Sequence, residues 1–551
     1  MNPLTSHKCA QRVLMALAAV SGIFLAVGCG SSNNNPPINP VGFNNASLTG
    51  TYVFSSTGVD VNGATLSIAG ALTSNGTGGI TGGTMDVIDL EGPVSVAQAI
   101  SSGTYSIGAD GRGQIKINSS DSNIGSINVD VVLSSTSHGL LTEFDLNGSG
   151  SGTIDLQTPL TGISQLAGPY AYTMAGTDGD DDPFATAGAF TFDSGGVITN
   201  GTGIEDFNVS GIPYPAETTT GGIVLGTGTG PAVATLTTTA FNTLTFDVYP
   251  IDTTHFKIIE TDSVEFLAGD VYTQTGATIP TGNMVFTMGG ADNNGPVANG
   301  GLFNSDGAGN FNNGLEDIND GGNVSVGQLP FTGTAGSLGS APIGGRVLVG
   351  LGGFDPATQI VIYPFSGSAG NGLLMLEMDD NGVMVGAALA QTATAFSAAN
   401  YGLNLTGENS DGETGGEVDD IGQFNATATA SPATNMTGVL DENDQGAALI
   451  STSLSGTYTP DSPATGRGSI VVTTPGTLIG GLSLEYYVVD SATTVFIDLD
   501  SGDNGFPQVG LGSFELQTAP SGGGVKAMAK SGGVVIVHPT VRTHGKLHKK
   551  K

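Results

Sequence analysis

A stretch of 18 residues, Leu141–Thr158, recurs three more times along the chain. Each copy begins with two acids separated by one residue, continues through a glycine-containing turn, and ends in a strand-like run that closes on Gln-Thr. The acid pairs are Glu143/Asp145, Glu260/Asp262, Glu377/Asp379 and Asp498/Asp500. The closing glutamines, Gln157, Gln274, Gln391 and Gln517, are 117, 117 and 126 residues apart. The sequence is therefore predicted to contain four tandem copies of one structural unit.

The residues around this stretch predict β-strands joined by tight turns. Each unit opens with alternating residue types, as in Gly168–Asp178, and such alternation is typical of a half-buried strand. Two further short runs flank a turn rich in Gly, Asp and Asn, as in Thr186–Gly201, and this pattern predicts a hairpin. Strands spaced by about 8–12 residues would give roughly eight to ten strands per unit.

The fold class predicted from these patterns is all-β, with four tandem antiparallel β-barrel or β-sandwich domains. Closing a barrel would pair the first strand of each unit with its last and would remove exposed sheet edges. A β-propeller with two four-stranded blades per unit is the alternative. The predicted domains are residues 1–28 (signal peptide), 29–46 (lipidated N-terminus and linker), 47–160, 161–277, 278–393 and 394–518 (the four β repeats) and 519–551 (a basic, flexible tail).

The first residues have the pattern of a secretory signal. Lys8 and Arg12 precede a 15-residue, mostly apolar run, Val13–Val27, which is too short to span a bilayer comfortably. Cleavage after this run would also remove Cys9, so the mature chain is expected to keep one cysteine and to contain no internal disulfide.

The residues at the end of that run, Leu25–Cys29, resemble the lipobox of a bacterial lipoprotein, although Ala26 stands where Leu is usual. The resemblance implies that Cys29 is lipidated and becomes the mature N-terminus. It also implies retention in the outer membrane, because Gly30 rather than Asp follows the cysteine.

Charge is distributed unevenly along the chain. All 49 acidic residues lie between Gly30 and Thr518, and that segment contains only five bases. Nucleic-acid binding is excluded by this balance, since phosphate recognition requires clustered Lys and Arg. The tail, Ala519–Lys551, has no acid and seven of the 14 bases, and it is a candidate contact for anionic envelope polymers.

Three of the five bases in the acidic body are arginines at turns of the repeat: Arg112, Arg346 and Arg467. The second unit has Thr229 at this position. Because so few cations stand among so many acids, we expect each arginine to form a structural ion pair with a carboxylate of its own unit.

Acidic turns provide the candidate metal ligands. Closely spaced carboxylates suit Ca²⁺, which prefers hard oxygen ligands. The candidates are Asp178, Asp180 and Asp182 in one turn and Asp498, Asp500 and Asp503 in another. Neither turn forms a complete twelve-residue calcium loop, so the alternative interpretation is that these acids are solvated turn residues. No cofactor other than Ca²⁺ is predicted.

No catalytic motif is present in the body of the chain. His138 and His255 are interpreted as surface or packing residues at unrelated positions of the repeat. The pair Glu143/Asp145 would lie on one side of a strand, as a hydrolase could use, but its recurrence in every unit favours a structural role.

The sequence thus predicts an exported, lipid-anchored protein of the outer membrane or cell surface, with a structural or binding and adhesion role and no catalysis. Its expected partners are the membrane, through the lipid anchor, and an unidentified envelope or extracellular ligand, but not nucleic acid. A surface hydrolase and a calcium-stabilised adhesin are the alternatives.

Overall fold

The computed structural model describes residues 41–520, apart from residue 93 and the segments 227–229, 263–264, 337–342, 368–369, 410–415, 428–434, 474–481 and 501–507. The predicted signal peptide, Cys29, most of the linker and the basic tail lie outside the described residues, as do Thr229 and Asp503. Among the described residues, no helix is long and apolar enough to cross a membrane.

Four antiparallel β-barrels follow one another, each within one predicted repeat. Barrel 1 contains β1 (Thr49–Asp60), β2 (Thr65–Asn75), β3 (Gly79–Asp89), β4 (Val94–Ile107), β5 (Arg112–Ser119), β6 (Ser126–Leu133), β7 (His138–Phe144) and β8 (Gly148–Leu156). Barrel 2 contains β9 (Gly168–Asp178), β10 (Pro183–Phe192), β11 (Ile204–Val209), β12 (Ile212–Thr218), β13 (Thr220–Val224), β14 (Ala232–Thr238), β15 (Asn242–Pro250), β16 (His255–Glu260) and β17 (Glu265–Thr273).

The second half of the chain repeats this architecture. Barrel 3 contains β18 (Thr281–Asp292), β19 (Pro296–Asp306), β20 (Phe311–Asp320), β21 (Asn323–Ala335), β22 (Val347–Gly352), β23 (Gln359–Gly367), β24 (Gly370–Glu377) and β25 (Gly382–Ala390). Barrel 4 contains β26 (Asn400–Asn409), β27 (Glu417–Ala426), β28 (Met436–Asp444), β29 (Ala447–Pro460), β30 (Arg467–Thr473), β31 (Leu482–Val488), β32 (Thr493–Asp498) and β33 (Gln508–Leu516).

Each barrel is an up-and-down meander in which the first strand pairs antiparallel with the last. In barrel 2 the fourth strand is interrupted at Thr219, so β12 pairs with β11 while β13 pairs with β14. The all-β prediction, the strand number and the first-to-last pairing are confirmed. The sandwich and propeller alternatives are wrong, because three of the sheets close on themselves and the nine-stranded sheet of barrel 2 has the same strand order with a break between β12 and β13.

A close approach between the first and last strands explains a glycine that recurs near the end of the first strand. A Cβ atom on Gly58 would lie 2.0 Å from the carbonyl oxygen of Ser149 on β8. The equivalent Gly290 would place its Cβ 2.0 Å from the carbonyl oxygen of Val383 on β25. Both distances are far below van der Waals contact, so a side chain at this position would push the closing strands apart.

Side chains fill the barrel interiors. Barrel 2 is packed around five aromatic residues that are at most 1% exposed: Tyr172, Phe184, Phe207, Phe246 and Phe256. Each of the other barrels has its own apolar cluster in the same place. The interiors are therefore packed cores that stabilise the barrels by apolar burial.

The outward faces of the strands differ in burial. Along β4, exposed and buried residues largely alternate, as expected for a strand with one face in water. Every residue of β7 is buried. The outward face of β7 is covered because another barrel packs against it.

Candidate functional site

The four barrels contact one another in a closed ring, in the order 1–2, 2–3, 3–4 and 4–1. Apolar residues dominate the first three interfaces, where several are alanines that let the sheets approach closely, such as Ala185, Ala187 and Ala189. The interface between barrels 4 and 1 has a small apolar cluster of Val132, Leu140 and Ile421. Ring closure brings together residues that are more than 250 positions apart in sequence.

The closing glutamine of each repeat reaches into the next barrel. Its side-chain amide donates to a backbone carbonyl there, in the pairs Gln157–Pro250 (2.8 Å), Gln274–Pro364 (2.6 Å), Gln391–Val488 (3.0 Å) and Gln517–Leu133 (2.9 Å). The last of these bonds links barrel 4 back to barrel 1. The backbone N–H of Thr518 also donates to the carbonyl of Ser134, at 2.7 Å. The Gln-Thr sequence is thus a connector between barrels.

An aspartate at a β-bulge lies on the same side of each interface as the closing glutamine. We call Asp86, Asp206, Asp317 and Asp441 the bulge aspartates, because the pairing of the third and fourth strands of each barrel shifts register at these residues. The fourth strand has a non-glycine residue with positive φ nearby: Ala97, Ala216, Gln328 and Ser451. In three barrels this residue donates its backbone N–H to the bulge aspartate. A bulge re-aims a side chain, here toward the neighbouring barrel.

The predicted arginine ion pairs are present, but their partners extend beyond the arginine's own repeat. Arg346 of barrel 3 forms two 2.6 Å hydrogen bonds with Asp206 of barrel 2. Arg467 of barrel 4 contacts Asp317 of barrel 3 through two bonds of 2.7 Å. Arg467 also lies 2.9 Å from Asp461 and Glu485 of its own barrel, as expected. The expectation is wrong for Arg346, whose ion pair with Asp206 joins two barrels, since the third strand of one barrel faces the fifth strand of the next.

Arg112 forms the equivalent ion pair at the interface between barrels 4 and 1. Its guanidinium lies 3.0 Å from Asp441 of barrel 4 and 3.0 Å from Asp110 of its own barrel. At the interface between barrels 1 and 2, the bulge aspartate Asp86 accepts a 2.6 Å hydrogen bond from the Tyr249 hydroxyl. Tyr363 and Tyr487 donate in the same way to Asp206 and Asp317.

An asparagine two residues after the bulge aspartate binds the acidic turn of the next barrel. Its amide donates to two backbone carbonyls at distances of 2.8–3.0 Å, in the sets Asn208 to Glu377 and Gly382, Asn319 to Asp498 and Gln508, and Asn443 to Glu143 and Gly148. Barrel 1 has Ile88 at this position, and Ile88 packs in the apolar interface with barrel 2. The recurrent stretch of the sequence therefore contacts the preceding barrel through its acidic turn and the following barrel through its glutamine.

The interface between barrels 4 and 1 also contains a buried histidine. His138 Nδ1 lies 2.6 Å from Asp155, and Nε2 lies 3.0 Å from Glu515 of barrel 4. Burial alone would lower the pKa of His138, but Glu515 and Asp155 raise it well above the usual value. His138 is thus held as a cation between two carboxylates.

The interpretation of the two histidines as unrelated residues is wrong. His138 and His255 are the first residues of β7 and β16, the seventh strand of barrel 1 and its counterpart in barrel 2. Both precede their closing glutamine by 19 residues. His255 lies 2.6 Å from Asp270, which also binds Lys257 at 2.8 Å.

The first acid of each closing pair is buried: Glu143, Glu260, Glu377 and Asp498 are at most 3% exposed. Burial raises the pKa of each of these carboxyls, and the second acid of the same pair raises it further. The pKa of Glu260 rises to about 11. These four groups are buried at the interfaces or the barrel ends, where their charged forms are destabilised.

The predicted metal ligands serve mainly as turn caps. Asp178 accepts the backbone N–H groups of Asp180 and Asp182, at 2.9 and 3.0 Å, and the side chain of Asp180 is exposed. Asp498 accepts the backbone N–H of Asp500 at 2.8 Å, while Asp503 lies outside the described residues. Within the described part of the chain, the carboxylates that come close enough to share an ion are those of Glu260, Asp262 and Glu265. Sequence reasoning missed Glu265, because it noted only the acid pair before it.

A surface cleft of about 280 Å³ lies between barrels 2 and 3. Its lining includes Phe190, Gln274, Ile343 and Pro364. The side-chain amide of Gln274 donates to the carbonyls of Pro364 and Gly344, so this amide takes part in the contact between the two barrels.

Comparison with known proteins gives only remote similarities. No family model matches the chain, and no curated protein matches its sequence. A crystal structure of a mutant of the vaccine antigen transferrin binding protein B from Haemophilus parasuis Hp5 is 9% identical, covers 69% of this chain and 84% of its own, and has a TM-score of 0.18. Two crystal structures of CghA, one with Sch210972, are 10% identical, cover 64% and 66% of this chain and 89% and 94% of their own, and have TM-scores of 0.17 and 0.16. Scores this low carry no inference about function.

Proposed function

We propose that this protein is an exported, lipid-anchored protein of the outer membrane or cell surface, in which the ring of barrels is a structural or binding module and not an enzyme. The signal-like segment Val13–Val27 and the lipobox-like Leu25–Cys29 support export and anchoring. The acidic composition of the body supports solubility outside the membrane.

The observation that carries the proposal is the closed ring of packed barrels. Each barrel has a filled core, and each is fixed to two neighbours by recurrent polar connections such as Gln517 to Leu133. A ring of this kind holds its outer surfaces in fixed relative positions, which suits a rigid platform for contacts with an envelope component or an extracellular ligand.

The use of the paired acids also supports a non-catalytic role. The carboxyl of Glu143 is buried near Asp419 of barrel 4, and its backbone carbonyl accepts from Asn443. Asp145 accepts the backbone N–H groups of Asn128 and Asn147. These acids are therefore engaged in the interface and the turn, whereas a hydrolase would need them beside a substrate.

Anchoring can be tested by substituting the two cysteines in the full-length protein. We expect Cys29→Ser to move the protein from the membrane fraction to the soluble fraction and to abolish incorporation of a labelled fatty acid. Cys9→Ser is the matched control and should leave both readouts unchanged, because Cys9 lies in the segment to be removed. Membrane retention of the Cys29→Ser protein would contradict the anchor.

Surface exposure and the structural role need a second experiment in the producing cells. We expect proteinase K added to intact cells to degrade the anchored protein, while a periplasmic marker survives. Deletion of the gene should either increase sensitivity to detergent, which would favour a structural role, or leave it unchanged, which would favour binding. Protection of the protein in intact cells would contradict a cell-surface location.

A further inference from the structure

Three carboxylates converge at one end of barrel 2, between its last two strands. Glu260 is the last residue of β16, Glu265 is the first residue of β17, and Asp262 lies in the turn between them. One carboxylate oxygen from each residue lies within 4.8 Å of the other two. Asp178, which pairs with Glu265 across the neighbouring β9, adds a fourth negative charge.

Two oxygens of this cluster are buried without a hydrogen-bond partner. Glu260 is 1% exposed, and its Oε1 accepts the backbone N–H of Glu265 at 3.2 Å. Its Oε2 is buried and has no hydrogen-bond partner, and the same is true of Glu265 Oε2. Buried carboxylate oxygens are normally hydrogen-bonded or bound to a cation, because an unpaired buried charge is strongly destabilising.

We propose that Glu260, Asp262 and Glu265 form a Ca²⁺-binding site. Calcium takes about six to eight oxygen ligands at about 2.3–2.6 Å and accepts several carboxylates in one site. Magnesium requires a near-ideal octahedron at about 2.0–2.1 Å, keeps several waters and usually binds through one or two carboxylates. Three carboxylates that converge from two strand ends and the turn between them therefore suit calcium better than magnesium. The flexible coordination of calcium also allows water to complete the site.

Comparison among the barrels explains why barrel 2 carries the site. The buried acid recurs in barrels 3 and 4, where both carboxylate oxygens of Glu377 and one of Asp498 are buried without a hydrogen-bond partner. The position of Glu265, however, is Gly148, Gly382 and Gln508 in the other barrels. Barrel 2 alone combines the buried acid with a carboxylate at the start of the last strand.

Thermal unfolding of the purified mature protein tests the site. After treatment with EDTA, the protein is melted in 0, 1 and 10 mM CaCl₂ or MgCl₂ at constant ionic strength, so that general screening of the acidic surface stays the same. A cation that binds only the folded state raises the midpoint of unfolding. We expect CaCl₂ to raise this midpoint by several degrees and MgCl₂ to raise it clearly less.

Two substitutions and a matched control locate the site. Glu260→Gln and Glu265→Gln should each weaken calcium binding at least tenfold by isothermal titration and remove most of the thermal shift. Glu260→Gln should at the same time keep the midpoint in EDTA close to that of the wild type, because glutamine is a neutral side chain of nearly the same shape. Glu377→Gln changes the equivalent buried acid of barrel 3, which lacks the third carboxylate, and should leave the calcium shift intact.

Several results would contradict the proposed calcium site. They are the absence of a calcium shift at 10 mM, an equal shift with magnesium, a wild-type shift in both barrel 2 variants, and loss of the shift in Glu377→Gln. The double readout of Glu260→Gln separates loss of a ligand from loss of folding, since a misfolded variant would melt well below the wild type in EDTA.

Discussion

Replacing Arg467 by methionine should destabilise the contact between barrels 3 and 4. The Arg467 guanidinium forms two 2.7 Å hydrogen bonds with Asp317 across the interface and lies 2.9 Å from both Asp461 and Glu485 of its own barrel. Asp317 is 1% exposed, and without the arginine its carboxylate would keep, among the described residues, the hydrogen bond from the Tyr487 hydroxyl.

The expected magnitude follows from the burial of the partners. Removing one partner of a buried ion pair costs about 3–5 kcal/mol, since the remaining charge is left in a dry site. The side chain of Asp461 is 26% exposed, so its contact adds little. Arg112→Met is the matched control, because Arg112 is 19% exposed and makes a single 3.0 Å contact with Asp441. We expect that variant to lose only about 1–2 kcal/mol.

A double-mutant cycle with Asp317→Asn isolates the pair. The chain has no tryptophan, so urea unfolding is followed by far-ultraviolet circular dichroism. If the barrels unfold in separate transitions, the transition that includes barrels 3 and 4 is compared. The double variant should be more stable than the sum of the single changes predicts, by about 2 kcal/mol or more. A coupling free energy below about 0.5 kcal/mol, or equal losses in Arg467→Met and Arg112→Met, would refute the reasoning.

Three further outcomes follow from the same geometry. Asn443→Ala removes hydrogen bonds from barrel 4 to barrel 1 and should cost about 2–4 kcal/mol in urea unfolding; a loss confined to barrel 4, with unchanged hydrogen exchange in barrel 1, would argue against an interface role. The folded-state pKa of His138 is raised, so its stabilisation is full below about pH 6.5 and is lost as the pH rises through the folded value. His138→Gln should therefore lower stability at pH 6 more than at pH 9, and an equal loss at both would contradict the buried cation. Gly290→Ala should lower the melting temperature markedly, while Gly162→Ala, where a Cβ meets nothing within 4 Å, should not; similar melting of the two variants would contradict the strand contact.

Much of each barrel could be predicted because its determinants are local. Alternating residues and glycine-rich turns define strands and hairpins within short windows, so the all-β class and the strand number followed directly. The first-to-last pairing also followed, because a repeat that opens and closes with strands can close its own sheet.

The interfaces could not be predicted because their partners are set by the arrangement of the barrels. Arg112 was expected to pair with a carboxylate of its own unit, and it does contact Asp110, but it also binds Asp441, which is 329 residues away. The candidate metal ligands were chosen as neighbours in the sequence, such as Asp178 and Asp180. In the fold, carboxylates approach one another where two strand ends meet, which is why Glu265 joins Glu260.

Closure of the ring accounts for the two-sided use of the recurrent stretch. Its acidic turn receives an asparagine from the preceding barrel, and its glutamine donates to the following barrel, so each interface joins two different surfaces. Head-to-tail interfaces of this kind either close into a ring or continue into a filament. Here the bond from Gln517 to Leu133 returns the fourth barrel to the first, so both surfaces of every barrel are covered within one chain. Among the described residues, this closing interface has the smallest apolar cluster, and two ion pairs cross it, Arg112 with Asp441 and His138 with Glu515.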